Sequence, residues 1–133
     1  MLATHSLLNE NLTTSARVIV CDDEPDIRET VAEYLETHGF AVTQASGGAA
    51  LRELVKGADF DVVVLDLRMP HVDGLALLEL IRSRQPDLPV IVVTGYPSAA
   101  SAKRCRELGV QHYLRKPFDP EELSRHVREA LER

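Results

Sequence analysis

Three stretches of this chain are apolar without interruption: Val18-Ile19-Val20-Cys21, Val62-Val63-Val64-Leu65 and Val90-Ile91-Val92-Val93. Such runs, rich in β-branched side chains, read as strands buried on both faces, the mark of a parallel sheet. Two weaker runs, Phe40 to Ala45 and His112-Tyr113-Leu114, have the partial alternation or short length of edge strands. Helical spacing fills the intervals. After Pro25 come Ile27, Val31, Tyr34 and Leu35, ended by Gly39; a short helix over residues 48–56 turns Leu51, Leu54 and Val55 inward. Leu75, Leu78 and Ile81 line a third helix, and Leu123, Val127, Ala130 and Leu131 a fifth that starts at Asp119-Pro120. The fourth, over residues 98–108, offers only Ala99, Ala102, Cys105 and Leu108. These bury little area, so this helix is expected to be the least firmly anchored.

Strand and helix thus alternate from Arg17 to the C-terminus, which predicts an α/β fold. With the three strongest runs placed centrally, the expectation is a flavodoxin-like, doubly wound sheet of five parallel strands, order 2-1-3-4-5, with helices on both faces. Residues 1–16, rich in Ser, Thr and Asn, read as a flexible N-terminal extension, and residues 17–133 as one domain.

Composition narrows the function. The 133 residues carry a formal net charge of −6 and a pI near 5.3, which argues against direct binding to nucleic acid. No apolar stretch approaches the roughly 20 residues of a membrane span. Leu7-Leu8 runs into Asn9-Glu10-Asn11 instead of a signal-peptide core, so a cytoplasmic location with no membrane contact is expected. Cys21 and Cys105 read as buried free thiols. His5, His38, His71, His112 and His126 form no ligand cluster, and neither a transition-metal site nor a phosphodonor role is expected of them.

The chemistry lies where the strands end. The first runs into Asp22-Asp23, the third into Asp66, the fourth into Thr94 and the fifth, through Arg115, into Lys116-Pro117. In an open parallel sheet, ligands bind in the crevice beyond the carboxyl ends of the strands. An acid pair before Pro25 could merely cap a helix. With Asp66 at the end of the neighbouring strand, the three acids instead form a cluster that needs a cation. Two like charges about 4 Å apart repel by roughly 4 kcal/mol at an effective dielectric of 20. Hard carboxylate oxygens favour Mg2+. Asp66, at the end of the most apolar strand, can attack phosphorus in line, while Lys116 and the metal neutralise the phosphoryl oxygens and Thr94 offers a hydroxyl. Pro117 could fix the turn that aims Lys116, with a cis Lys116–Pro117 bond.

These residues, with Asp66-Leu67-Arg68-Met69-Pro70, Asp73-Gly74, Thr94-Gly95 and Lys116-Pro117-Phe118 in order, resemble the receiver domain of two-component response regulators over residues 17–133. The resemblance implies that Asp66 is the phosphoacceptor for a phosphohistidine on a sensor histidine kinase or a histidine phosphotransfer protein. It implies Mg2+ bound by Asp23 and Asp66 directly, by Asp22 through water and by the backbone carbonyl of Arg68. Thr94 and Lys116 would contact the phosphoryl group, and Tyr113 would be the aromatic that turns inward when Thr94 moves. The output would be a changed face of the fourth helix, fifth strand and fifth helix presented to a protein effector, by a monomer or a phosphorylation-dependent dimer. Such a domain is not an enzyme, catalysing only its own phosphorylation and dephosphorylation. Arg68 and Tyr96 occupy positions that tune acyl-phosphate lifetime, Gly95 stands where Ala is common, and His112 where many members have Asp.

The chain reads as a stand-alone receiver, although the receiver half of a longer regulator with a separate output domain would read the same. A haloacid dehalogenase-type phosphatase is disfavoured because Arg68 stands where that family has its acid. A receiver-like binding module acting without phosphorylation is disfavoured by the intact set of Asp22, Asp23, Asp66, Thr94 and Lys116.

Overall fold

A computed structural model of the chain describes residues 15–57 and 59–132. The expected N-terminal extension lies outside these residues except for Ser15 and Ala16. Five strands form one parallel sheet: β1 (Arg17–Cys21), β2 (Ala41–Ala45), β3 (Val62–Asp66), β4 (Val90–Thr94) and β5 (His112–Arg115). Their order is β2-β1-β3-β4-β5, as the distribution of apolar runs predicts. The helices are α1 (Pro25–Thr37), α2 (Gly48–Gly57), α3 (Gly74–Arg84), α4 (Ala99–Glu107) and α5 (Pro120–Leu131). Among the described residues no helix is long and apolar enough to cross a membrane.

The central strands do not alternate because each feeds two cores. Val18, Val20, Val62, Val64, Ile91 and Val93 pack with Val31 and Leu35 of α1 and Leu123, Val127 and Ala130 of α5. The intervening Ile19, Val63, Leu65, Val90 and Val92 pack with α2, α3 and α4 through Leu51, Val55, Leu77, Leu78, Ile81 and Cys105. At about 1.5–3 kcal/mol for each large apolar side chain buried, both layers are held firmly to the sheet. Gly39 stops α1 as expected. Its φ of 94° lets the amides of Gly39 and Phe40 reach back to the carbonyls of Glu36 and Leu35, at 3.1 and 3.2 Å.

Several inward positions differ from expectation. On α3 the residue buried beside Leu78 and Ile81 is Leu77, while Leu75 is half-buried, because the helix meets both the sheet and α2. Ala99 of α4 is exposed, and Cys105 is that helix's one buried side chain. What else holds α4 is polar. Arg82 donates from Nε to the carbonyl of Leu108 at 2.7 Å, and Arg104 pairs with Glu79 at 2.7 Å on the surface. Both contacts lie toward the C-terminal half; the first turn is tied to β5 by the Tyr113 hydroxyl, which accepts from the Ser98 amide at 3.3 Å and lies 2.6 Å from Ser101 Oγ.

The segment from Leu67 to Asp73 reads as loop from sequence, but it contains a short antiparallel ladder, Arg68-Met69 against Val72-Asp73. His71 turns it with a left-handed φ of 61°. Asp73 then caps α3, its Oδ1 accepting from the amides of Leu75 and Ala76 at 3.0 and 3.2 Å. Gly74 is required here by space. A Cβ at this position would lie 2.2 Å from the Leu67 carbonyl oxygen and 2.7 Å from its Cα, backbone atoms adjoining Asp66.

Gly74→Ala is expected to destabilise the domain by about 1–3 kcal/mol, as overpacking does, measured as a lower urea midpoint. In native-state hydrogen exchange, amides of the first turn of α4 should exchange well before those of α5.

Candidate functional site

The register of the sheet assembles the site. Cys21 lies opposite Leu65 in the ladder, so the next residues, Asp22 and Asp66, leave their strands side by side. They share the parity of Val20 and Val64, placing both on the α1–α5 side of the sheet. Asp66 is opposite Val93 and Thr94 is opposite Arg115, so the edge steps outward from the carboxylates to the hydroxyl and then to Lys116. The Lys116 amide donates to the Thr94 carbonyl at 2.8 Å, and the Lys116–Pro117 peptide is cis.

One carboxylate oxygen from each of Asp22, Asp23 and Asp66 falls in a cluster with no pair more than 4.8 Å apart. Asp22 and Asp66 are almost wholly buried, at 3% and 1% exposure, which requires that they be paired. Lys116 supplies the pairing. Its Nζ lies 2.8 Å from Asp22 Oδ2, 3.1 Å from Asp66 Oδ2 and 3.2 Å from the exposed Glu24. The remaining oxygens are held by main chain: Asp22 Oδ1 accepts from the Glu24 amide at 2.9 Å, and Asp66 Oδ1 from the Arg68 amide at 3.0 Å. Arg28 braces the loop by donating to the Asp22 carbonyl at 2.9 Å.

One ammonium against Asp22, Asp23, Glu24 and Asp66 leaves the pocket strongly negative. Burial pushes the Asp66 carboxyl above its ordinary range; the Arg68 amide and Lys116 pull it back incompletely, and Asp22 adds to the rise. Lys116 loses some basicity to burial, but hydrogen bonds to Asp22 and Asp66 outweigh that and hold it firmly protonated. Burial, reinforced by Asp22 and Asp66, pushes the Cys21 thiol up to about 12. The Cys21 Sγ faces the Gly47 carbonyl and Met69 Sδ in the core on the α2–α4 side, away from the acids, whose donors are hard oxygens.

Thr94 is buried at the end of β4, with Oγ1 accepting from the Tyr96 amide at 3.1 Å. Tyr113 of β5 is engaged elsewhere: its hydroxyl lies 2.6 Å from Ser101 Oγ and accepts from the Ser98 amide at 3.3 Å. Thr94, Arg68, Ser98 and Ser101 border a cavity of about 150 Å³. Tyr96 lines it too, and the Arg68 guanidinium lies 4.6 Å from the centre of its exposed ring, a cation–π contact. Beside the acids a largely apolar groove of about 650 Å³ runs along Ile27, Val31, Pro117 and Phe118.

Of the residues expected at the site, the structure brings the three acids and Lys116 together, sets Thr94 at the adjoining strand end and turns the Tyr113 hydroxyl to Ser98 and Ser101; Glu24, Arg28 and the two serines were not foreseen. Two of the histidines, from which no cluster was expected, meet in the fold. His112 and His126 stack with ring centres 4.0 Å apart, and both face Glu129. The His126-x-x-Glu129 spacing along one helix was visible, but its strand partner is brought in only by folding. Burial and His126 together lower His112, with Glu129 opposing.

A doubly wound, flavodoxin-like α/β domain with an acid-lined crevice at its strand ends is the class that fold and site define. The chain belongs to the response regulator receiver domain family, which it matches over residues 18–128, and is thus a signalling domain of two-component systems. It is 31% identical over 120 residues to the transcriptional regulatory protein FixJ of Bradyrhizobium diazoefficiens, a match spanning 90% of this chain and 58% of that protein. The chain spans about half the length of the curated relatives it matches. A CheY-like receiver domain protein from Methanospirillum hungatei superposes with a TM-score of 0.86 at 26% identity, covering 90% of this chain and 95% of that one. The response regulator TrrA of Thermotoga maritima, solved in complex with Mg2+ and BeF, gives a TM-score of 0.79 at 31% identity, covering 87% and 99%.

The raised Asp66 carboxyl sets a pH dependence. The folded state binds this proton more tightly than the unfolded chain, so Asp66 lowers stability as pH rises from its ordinary value of 3.8 through the raised one. Asp66→Asn should therefore unfold at a higher urea concentration than the parent in chelator at pH 7, with the gap closing toward pH 3.8. An unchanged or lower midpoint at pH 7 would mean that the Lys116 pairing outweighs desolvation.

Proposed function

We propose that Asp66 is the phosphoacceptor of this domain, taking a phosphoryl group from a phosphohistidine of a sensor histidine kinase or histidine phosphotransfer protein. The observation that carries the reading is Asp66 itself, a carboxylate buried at a rigid strand end, 3.1 Å from Lys116 and clustered with Asp22 and Asp23. Chemically, a carboxylate oxygen attacks phosphorus, the P–N bond breaks, and the departing imidazole nitrogen keeps its electron pair and takes a proton. The Arg68 amide fixes the plane of the attacking carboxylate, and Lys116 stands where negative charge gathers on the transferred oxygens.

The donor set fits Mg2+. Asp22, Asp23 and Asp66 would supply hard oxygens, with the main-chain carbonyl of Arg68 as a further ligand, and a similar regulator solved in complex with Mg2+ and BeF supports the choice of ion. Bound there, the ion neutralises the surplus carboxylate charge and the phosphoryl oxygens. The apolar groove along α1 and Phe118 adjoins the acids and gives a phosphodonor protein a surface on which to seat its histidine.

Phosphorylation is read out through Thr94 and Tyr113. When the Thr94 hydroxyl turns to a phosphoryl oxygen it leaves the Tyr96 amide, and Tyr113 moves inward, away from Ser98 and Ser101. The cavity beside Thr94 supplies room, and the lightly anchored α4 can follow. The result is a population shift that presents a changed α4–β5–α5 face to an effector protein. The Arg68–Tyr96 pair, which lines the cavity beside Thr94, shields the acyl phosphate from water. The domain acts in the cytoplasm, as a monomer or as a dimer formed on phosphorylation, with residues 17–133 as the receiver and residues 1–16 as an extension. Relatives with transcriptional names support a further reading, that the receiver belongs to a longer regulator whose separate output part acts on DNA.

Intact-protein mass after incubation with acetyl phosphate and Mg2+ tests the central claim. A single phosphoryl adduct is expected, absent with chelator and absent in Asp66→Asn. Absence of an adduct with both acetyl phosphate and a panel of histidine kinases would favour a module that binds partners without phosphorylation. Lys116→Met is expected to retain Mg2+ binding while lowering the phosphorylation rate by about 10²-fold or more, the scale of losing one charge-stabilising donor.

A further inference from the structure

We propose that His112, His126 and Glu129 form a second metal site, selective for a zinc-class transition cation, on the surface where β5 meets α5. Glu129 Oε1 lies 3.1 Å from His126 Nδ1 and 3.6 Å from His112 Nε2, and the three donor atoms fall within 4.8 Å of one another. Metal–ligand bonds of about 2.0–2.2 Å at tetrahedral angles place neighbouring donors about 3.3 Å apart. Two imidazoles and one carboxylate are a donor set that suits zinc and its neighbours, not the hard cations suited to the strand-end acids. Three protein ligands leave one position for water, and the exposure of Glu129 keeps that side open to solvent.

The surroundings favour coordination. His126 and Glu129 are one helical turn apart on α5, so their spacing is preset by the helix, while His112 is fixed by β5. Glu122 Oε2 lies 3.8 Å from His126 Nε2, the nitrogen turned away from Glu129. That is beyond hydrogen-bond distance, and a closer approach of the carboxylate would let it accept the second ring N–H, the outer-shell contact that orients metal-binding histidines. Coordination requires the stacked rings to rotate toward each other about χ2, a torsion that is broad for imidazole. A bound ion would clasp the fifth strand to the fifth helix, on the face proposed above for the effector.

The test is titration of the full chain with ZnCl2 in saturating Mg2+, which keeps the strand-end acids occupied, read by calorimetry and thermal midpoint. One zinc with a dissociation constant on the order of micromolar or tighter is expected, with a midpoint that rises with zinc. His112→Ala and His126→Ala should each weaken zinc by about 10-fold or more, and Glu122→Gln by up to about 10-fold. Asp66→Asn should bind zinc as the parent does, and the histidine variants should still take up phosphoryl from acetyl phosphate. Glu129 is exposed, so Glu129→Gln keeps the test interpretable if a histidine variant fails to fold. No saturable zinc binding, or binding that survives both His126→Ala and Glu129→Gln, would overturn the proposal and leave a hydrogen-bonded pair only.

Discussion

The ammonium of Lys116 is the contact on which the strand-end crevice depends. A rigid parallel register forces Asp22 and Asp66 out of neighbouring strands side by side, into a setting where neither can reach bulk water. Left unpaired, two buried acids would cost several kcal/mol each. Lys116 reaches both because β5 lies two strands from β3 and ends in a turn that folds its side chain back across β4. The pairing is incomplete because of that geometry. Burial leaves Asp66 reluctant to ionise, and one cation shared among three carboxylates leaves the pocket short of positive charge. A site in that condition is receptive to a divalent ion, and the surplus charge is what makes the receptiveness strong.

The same economy appears in how loosely the reporting element is held. α4 buries one thiol where α5 buries Leu123, Val127 and Ala130, and its first turn is fastened to the sheet chiefly through the serine contacts of the Tyr113 hydroxyl. Such hydroxyl hydrogen bonds contribute only about 1 kcal/mol each. A perturbation at Thr94 of about that size or larger can therefore redistribute Tyr113 and the start of α4 without disturbing the core. Stability is concentrated where position must be kept and is thin where it must change.

Most of this was legible in the sequence because it depends on local rules. Four-residue apolar runs specify buried parallel strands, and the residue after each is placed by the strand's end, so Asp22, Asp66 and Thr94 could be located directly, while Lys116, beyond a weaker run and Arg115, was placed with the help of Pro117 and the motif order. Contacts assembled by tertiary packing were not legible. Leu77 replaced Leu75 because α3 faces two surfaces at once, and the ladder at Met69 is too short to leave a periodic signal. Gly74 was visible as a motif residue, but its reason, the Leu67 backbone against it, appears only in three dimensions. The meeting of His112 with His126 joins residues from different elements, and spacing along one chain cannot announce that.

The two cores that flank the sheet carry a further consequence. Asp22 and Asp66 share a side with α1 and α5, whereas Tyr113 packs into the core beneath α2, α3 and α4. Among the described residues no apolar side chain is common to both clusters. A substitution in one therefore has no direct packing route into the other, and effects across the sheet should be close to additive. At the strand ends the Lys116 amide, bonded to the Thr94 carbonyl, links the two sides. The sheet thus works as an insulator with one opening, and the surface on either side is free to drift toward new partners without retuning the other.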